Sequence, residues 1–230
     1  MVDAMCELAK IYRFLDRKVC HDTGASPDEV ALHSEIRDYF TEIAHKEASR
    51  IVSSHGQVTI LRRFLKDAHE KSASPAGYLF DLKDGGHWFT DNHLAVITHA
   101  DLSKYKQTKS YNGVIPDVYH IFHSEREYDD FANVSLFNLC AHELVYPVDP
   151  ENDLAYATHI KLNSNQGKVY GVCRYRLLFL MEFWHVDTLK LYFSTSENLP
   201  ALILCPSSTD KAVLGMCRLD SCPTFLSDLL

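Results

Sequence analysis

The sequence has no long apolar run, and no apolar stretch follows its first residues. The longest such run, Leu177–Met181, is far shorter than the ~20 residues that a membrane-spanning helix needs. Asp3 and Glu7 interrupt the start of the chain, where a secretion signal would carry its apolar core. We therefore expect no membrane association and no secretion.

A pairing pattern of cysteines is also missing. The chain has 7 cysteines, an odd number, and no two of them form a Cys-x-x-Cys pair. A small secreted protein held by disulfides would show an even set at regular spacings. The cysteines therefore predict reduced thiols and a cytoplasmic protein.

The common catalytic and cofactor motifs are absent. There is no Walker loop, no Gly-x-Gly-x-x-Gly, no Gly-x-Ser-x-Gly and no His-Glu-x-x-His. We expect a protein that is not an enzyme and binds no cofactor. One enzymatic alternative is a metal-dependent hydrolase built on His120 and His123 near Glu125 and Glu127. A weaker one is a thiol nucleophile in the run Cys140-Ala141-His142.

The sequence has fewer basic residues than acidic ones. Against 31 acidic residues stand 23 lysines and arginines, which gives a formal net charge of -8. The molecule as a whole therefore repels nucleic acid, and contact with DNA would need a local basic patch. Apolar residues make up 46% of the 230 residues, enough for one good core or two modest ones.

The clearest secondary-structure pattern lies between Lys168 and Leu219. Apolar residues of its helix recur with a period of 3.6, and those of the following strand alternate with polar ones. The segment predicts a β-α-β-β-β unit with elements at Lys168–Cys173, Tyr175–Trp184, Asp187–Ser194, Pro200–Cys205 and Ala212–Arg218.

The first part of the chain, residues 1–55, reads as two amphipathic helices. The first covers Val2–Lys18, and the second begins at Ser26, where Glu29 completes a capping box. Such helices pack as a hairpin against each other or the rest of the protein; alternatively, they bind a partner or form a dimer.

Residues 56–112 predict a helix followed by three strands. Their bounds are Ile60–Lys71, Tyr78–Leu82, His87–Thr90 and Leu94–His99, so the architecture repeats within the chain. Between the two units we expect a helix at Ser135–Val145 and a strand at Ala155–Leu162.

Three short runs resemble the bacterial DNA polymerase III beta subunit, the sliding clamp. Phe89–Val96 (Phe-Thr-Asp-Asn-His-Leu-Ala-Val) resembles the family's Thr-Asp-Gly-His-Arg-Leu-Ala, with Asn92 in place of the glycine. Gly113–Tyr119 resembles its Phe-Pro-Asp-Tyr element, and Val213–Leu219 resembles its terminal Met-Pro-Met-Arg-Leu. The runs keep the family's order, but their spacing leaves out at least one half-domain.

The resemblance implies an α+β fold of DNA-clamp-like β-α-β-β-β units, with helices on one face of antiparallel sheets. Residues 56–112 would form a clamp-like half-domain and residues 113–230 a clamp-like C-terminal domain, behind the helical segment 1–55. It also implies an apolar pocket for partner peptides, such as those of polymerases. That pocket would comprise Thr90, Asn92, His93, Leu94, Pro116, His120, Ile121, Val213, Gly215 and Met216.

The resemblance further implies helices that contact the backbone of duplex DNA without sequence preference. The candidate residues are Arg62, Arg63, Lys66, Arg174 and Arg176. The expected function is a sliding-clamp-like replication or repair factor, with a homo-oligomeric ring as its possible assembly. The alternative is a clamp-derived protein-interaction module that does not encircle DNA.

Overall fold

The computed structural model describes residues 2–21, 24–53, 55–71, 75–107, 110–115, 117–122, 128–146, 159–194 and 200–217. These residues form an α+β fold, as predicted. The helices are α1 (Val2–His21), α2 (Pro27–Ser53), α3 (Gln57–Lys71), α4 (Leu136–Val145) and α5 (Arg174–Trp184), with a single 3-10 turn at Val118–His120. The strands are β1 (Leu79–Asp81), β2 (His87–Thr90), β3 (Leu94–Thr98), β4 (Asp130–Ser135), β5 (His159–Asn163), β6 (Val169–Cys173), β7 (Thr188–Phe193), β8 (Ala201–Leu204) and β9 (Lys211–Leu214).

Seven strands form one antiparallel sheet in the order β1-β2-β3-β9-β8-β7-β4. A helix leads directly into each three-strand meander: α3 precedes β1–β3, and α5 precedes β7–β9. The last strands of the two meanders pair with each other, with Leu94 opposite Leu214. Both segments thus have the order helix, strand, strand, strand, and their last strands are neighbours near the middle of the sheet.

The strand before α5 departs from the prediction. β6 does not join the large sheet but pairs with β5 in a two-stranded sheet, and a bridge between Gly171 and Cys217 connects it to the end of the β9 segment. β4 was not predicted at all. The sequence Asp-Phe-Ala-Asn-Val-Ser of this strand carries a buried aspartate and an asparagine, which weaken its alternating pattern.

Alternation along the central strands divides the sheet into two faces. Residues such as Phe89, Val96 and Leu214 pack against α3, α4 and α5 in the main core, on what we call the helix face. Their neighbours, among them Trp88 and Val213, point to the opposite side, the outer face. Val118, Ile121, Phe122 and Tyr128 of the segment before β4 cover much of that face.

The N-terminal helices pack as predicted against each other and the rest of the chain. Tyr12 of α1 and Phe40 of α2 share a small core with Val145 at the end of α4. Further along α2, Ala44 joins the main core. The predicted capping box is confirmed, since the Glu29 N–H donates to Ser26 Oγ over 3.3 Å and the Ser26 N–H donates to Glu29 Oε2 over 2.9 Å.

Side chains occupy both edges of the large sheet. At the β1 edge, the Leu79 N–H donates to Gln107 Oε1 over 2.7 Å. At the β4 edge, the Phe131 N–H donates to Asn165 Oδ1 over 2.9 Å, and the Asn165 N–H donates to the Phe131 carbonyl over 2.8 Å. Some of the backbone N–H and C=O groups that could pair with a strand of another chain are therefore hydrogen-bonded within the molecule.

Candidate functional site

An apolar depression of about 310 Å³ lies on the outer face, where the β2–β3 turn meets the end of β9. It brings together seven of the ten residues predicted for the peptide pocket, namely Thr90, Asn92, His93, Leu94, Ile121, Val213 and Gly215. These residues come from three separate parts of the sequence. The fold therefore places them around one concave surface, which we call the outer pocket.

Two of the other three predicted residues, His120 and Met216, do not join them. His120 is exposed and lies 3.3 Å from the Asp117 carboxylate, outside the lining of the outer pocket. Met216 is also outside the lining and is 36% exposed. Pro116 falls outside the described residues.

Sequence reasoning missed four residues that line the outer pocket: Pro75, Trp88, Ala95 and Pro200. The alternation of the strand could have predicted Trp88, because this residue lies two positions before Thr90 and so shares its face. Ala95 shares its face with Val213, directly opposite on the neighbouring strand. The two prolines reach the site from loops, and no periodic pattern points to them.

The β2–β3 turn that forms one wall is held by its own side chains. Thr90 Oγ1 accepts the Asn92 N–H over 2.9 Å and donates to the Leu94 carbonyl over 2.8 Å. Asp91 Oδ1 accepts the His93 N–H over 3.0 Å and the Leu94 N–H over 2.7 Å. The Thr-Asp pair thus satisfies the backbone of the turn and fixes the wall of the outer pocket.

Asn92 has a φ of 73°, in the left-handed region. Among residues with a side chain, asparagine enters this region most readily, and glycine enters it without a steric penalty. Asn92 therefore suits the backbone shape of the turn and adds an amide to the lining of the outer pocket.

A buried ion pair braces the same turn from the helix face. Arg176 Nε on α5 donates to Asp91 Oδ2 over 2.7 Å, and both side chains are largely buried. Each Asp91 oxygen therefore has a partner, one in the turn backbone and one in α5. Arg176, predicted to contact DNA, instead positions the wall of the outer pocket.

Gly215 forms the opposite wall of the outer pocket and packs closely against the β2–β3 turn. Its N–H donates to the His93 carbonyl over 2.7 Å, and a Cβ at this position would lie 3.3 Å from the same oxygen. The end of β9 and the β2–β3 turn are therefore joined directly by the backbone. A side chain on residue 215 would push the two walls apart.

A second depression of about 230 Å³ lies on the helix face, at the other side of the same turn. It shares Asn92 and His93 with the outer pocket. Its remaining lining includes Asp67 of α3 and Tyr175 of α5, whose phenol donates to Asp67 Oδ2 over 3.3 Å. We call this depression the helix-side pocket.

The wider concavity between α2 and the start of β7 brings together none of the predicted residues. Its volume is about 780 Å³, and it is lined by side chains that include His45, Phe137 and His185. The ring of His45 stacks on that of Phe137 with centroids 4.2 Å apart. These rings contribute to the packing of α2 against α4.

The residues predicted to contact DNA do not form one patch. Arg62 and Lys66 are exposed on α3. Arg63, also exposed, pairs with Glu182 of α5. Arg174 is only 5% exposed and donates to Glu143 over 2.8 Å, because α2, α3 and α4 surround α5. Arg174 therefore has no surface from which to reach a phosphate.

The enzymatic alternatives have little support in the described residues. Burial raises the pKa of the Cys140 thiol to about 12, and burial lowers the pKa of the His142 imidazole to about 3. A protonated thiol is a poor nucleophile. His123, Glu125 and Glu127 lie outside the described residues; within the described part of the chain, no group of three or more His, Cys, Asp and Glu side chains could hold a metal.

The chain matches no protein-family model, no curated protein and no solved structure. Among the residues that the structure describes, none of the helices has the length and apolar character to cross a bilayer.

Proposed function

We propose that this protein is a peptide-binding module, related to sliding clamps, that docks a short extended segment of a partner protein in the outer pocket. The observation that carries the proposal is the convergence of Thr90, Asn92, His93, Leu94, Ile121, Val213 and Gly215 on one apolar depression. The resemblance named these residues in or next to three separate runs of sequence.

The chemistry of the outer pocket suits such a ligand. Its floor is apolar, with Trp88, Ala95 and Val213 packed on the outer face. Its rim carries the polar groups of Asn92 and His93. A small concave apolar surface with a few polar groups at its edge is the usual form of a site that buries peptide side chains and orients their backbone.

The edges of the sheet favour a module that does not encircle DNA. A ring built by sheet pairing needs free strand edges on both sides of each subunit. In this protein Gln107 and Asn165 hydrogen-bond the backbone at the two edges. The interaction-module alternative is therefore the form of the proposal that we favour.

Selection of short random peptides on the immobilised full chain tests the proposal. Selected peptides are then made with a fluorescent label, and their Kd is measured by fluorescence anisotropy. Ile121→Asp should weaken binding by about tenfold or more, because it places a carboxylate against an apolar lining. Failure to select any peptide, or equal affinity of Ile121→Asp and the unchanged chain, contradicts the proposal.

Ile115→Asp is the matched control. Ile115 belongs to the same stretch of chain but is 58% exposed and does not line the outer pocket. The same substitution there should leave the Kd unchanged.

A sliding-clamp-like DNA factor is the second candidate, and the exposed basic residues of α3 favour it. We expect that replacing Arg62, Arg63 and Lys66 together by alanine weakens duplex binding and flattens its salt dependence. Replacing Lys10, Arg37 and Arg50 on α1 and α2 is the control for loss of charge alone. If the unchanged protein shows no salt-dependent duplex binding, this candidate is excluded.

A further inference from the structure

The outer pocket and the helix-side pocket lie on either side of the β2–β3 turn and share two lining residues. Asn92 and His93 line both depressions, so their side chains stand at the crest between them. One depression is apolar and lies on the outer face, and the other lies between α3 and α5. An extended segment that enters the first can continue over the crest into the second.

The lining of the helix-side pocket includes two carboxylates, Asp67 and Asp91, and one guanidinium, Arg176. Asp91 is neutralised there by Arg176 at 2.7 Å. Asp67 accepts a hydrogen bond from the neutral phenol of Tyr175, and among the described residues no basic side chain lies within ion-pair distance of it. Burial, and next the charge of Asp67, raise the pKa of Tyr175, so the phenol stays a donor at neutral pH.

The ring of Tyr175 adds a second feature that suits a cation. The side chain is 43% exposed, although it lines the pocket beside Asp67. An aromatic face next to a carboxylate is a favourable environment for a guanidinium or ammonium group, which gains both an ion pair and a cation–π contact. A neutral apolar side chain would gain less here than in the outer pocket.

We propose that the partner segment carries a basic side chain, arginine or lysine, which binds Asp67 and Tyr175 while an apolar residue of the same segment occupies the outer pocket. This inference rests on the proposed function and adds the chemical class of the partner. The net charge of -8 on this chain also favours a basic partner over an acidic one.

The geometry limits the spacing of the two side chains. The crest is formed by the turn residues Asn92 and His93. A bound segment that is extended crosses these two residues along one path, so we expect a fixed number of residues between its apolar and its basic side chain. A fixed spacing distinguishes this recognition from general attraction between opposite charges.

The test compares arginine with citrulline, which has nearly the same shape but no charge. A selected peptide is synthesised in both forms, and each Kd for the full chain is measured by fluorescence anisotropy. We expect the arginine form to bind about three- to tenfold more tightly. In Asp67→Asn that preference should disappear, while the Kd of the citrulline form stays unchanged. Asp101→Asn, a substitution in the loop after β3, should retain the preference.

Three results would overturn the inference. The selected peptides show no enrichment of arginine or lysine at a fixed distance from an apolar residue, the two forms bind equally, or the preference persists in Asp67→Asn. If peptides still bind the outer pocket in an Ile121-dependent way, only the inference on the basic residue fails. If no peptide binds, the proposed function fails with it.

Discussion

At the scale of single residues, the outer pocket depends on a few positions whose conformation is fixed by the backbone. Asn92 is the clearest example, because its φ of 73° is unfavourable for most side chains. The side chains of Thr90 and Asp91 hold the turn in this conformation. A substitution that resists the left-handed region therefore strains the wall of the pocket.

We predict that Asn92→Gly changes the free energy of unfolding little, whereas Asn92→Val lowers it by about 1–2 kcal/mol. A β-branched side chain is poorly tolerated at positive φ. Urea denaturation of the two variants measures the difference. Asn112→Val, in an exposed loop position without a positive φ, should have a small effect. Equal stability of Asn92→Gly and Asn92→Val would contradict the prediction.

His142 gives a prediction on pH. Burial, and next the positive charge of Arg174, lower the pKa of its imidazole from 6.5 to about 3 in the folded protein. Below pH 6.5 the unfolded chain therefore binds a proton that the folded chain does not, and the free energy of unfolding falls as the pH drops. The contribution is at most about 1.4 kcal/mol per pH unit, and it ends near pH 3.

The His142→Leu variant should show a flatter dependence of stability on pH between 6.5 and 3. Denaturation at a series of pH values measures the slope. His120→Leu, at an exposed position, should keep the slope of the unchanged protein. An identical slope in His142→Leu would show that its burial does not determine the acid sensitivity.

Single residues also show which features of the site could be predicted from the sequence. The resemblance predicted seven of the residues that line the outer pocket, and the four of them in the run Thr90–Leu94 form a turn that its own side chains hold. The ion pairs of Arg174 and Arg176 could not be predicted from local sequence. Their partners, Glu143 and Asp91, are far away in sequence, and only the packed fold brings them together.

At the scale of elements, the period of the apolar residues was sufficient to predict a helix or a strand wherever that element buries one face. The prediction for β2 matches the observed bounds His87–Thr90, and α5 differs from its prediction by one residue. β4 was missed, because Asp130 is buried within it. Backbone N–H groups and the Tyr170 phenol hydrogen-bond its carboxylate. Apart from the Phe131 N–H of β4 itself, those partners come from Gln166 in the turn after β5 and from Tyr170 of β6, which the sequence of β4 does not reveal.

The N-cap of α4 allows a prediction about the stability of this helix. Ser135 is the N-cap residue, and its Oγ accepts the Asn138 N–H over 3.1 Å. Ser135→Ala should lower the free energy of unfolding by about 1 kcal/mol, whereas Ser135→Asp, which keeps an acceptor, should largely retain it. Thermal and urea denaturation provide the measurement. A stability loss in Ser135→Asp as large as in Ser135→Ala would show that the cap is not the cause.

At the scale of the whole molecule, the two meanders and their helices make one continuous sheet, and the β3–β9 pair joins them. This arrangement is what creates the outer pocket, since the turn of one meander and the end of the other form its walls. The division into residues 1–55, 56–112 and 113–230 stays a prediction. The core shared by Ala44, Phe89 and Leu191 shows that residues from all three segments pack together.

The occupied sheet edges predict the assembly state. We expect a monomer by sedimentation velocity, because Gln107 and Asn165 hydrogen-bond the edge backbone. Removing both side chains, as Gln107→Ala with Asn165→Ala, should increase self-association at high protein concentration. A closed oligomer formed by the unchanged protein would contradict this expectation and favour the ring.

The most direct test of the central claim is a photo-cross-link from a bound peptide. A selected peptide carries a diazirine analogue of leucine at its apolar anchor, and mass spectrometry locates the cross-linked residue in the full chain. A peptide bound in the outer pocket should form cross-links to residues 88–95, to Ile121 or to residues 213–215. Cross-links confined to α1, α2 or another surface would contradict it.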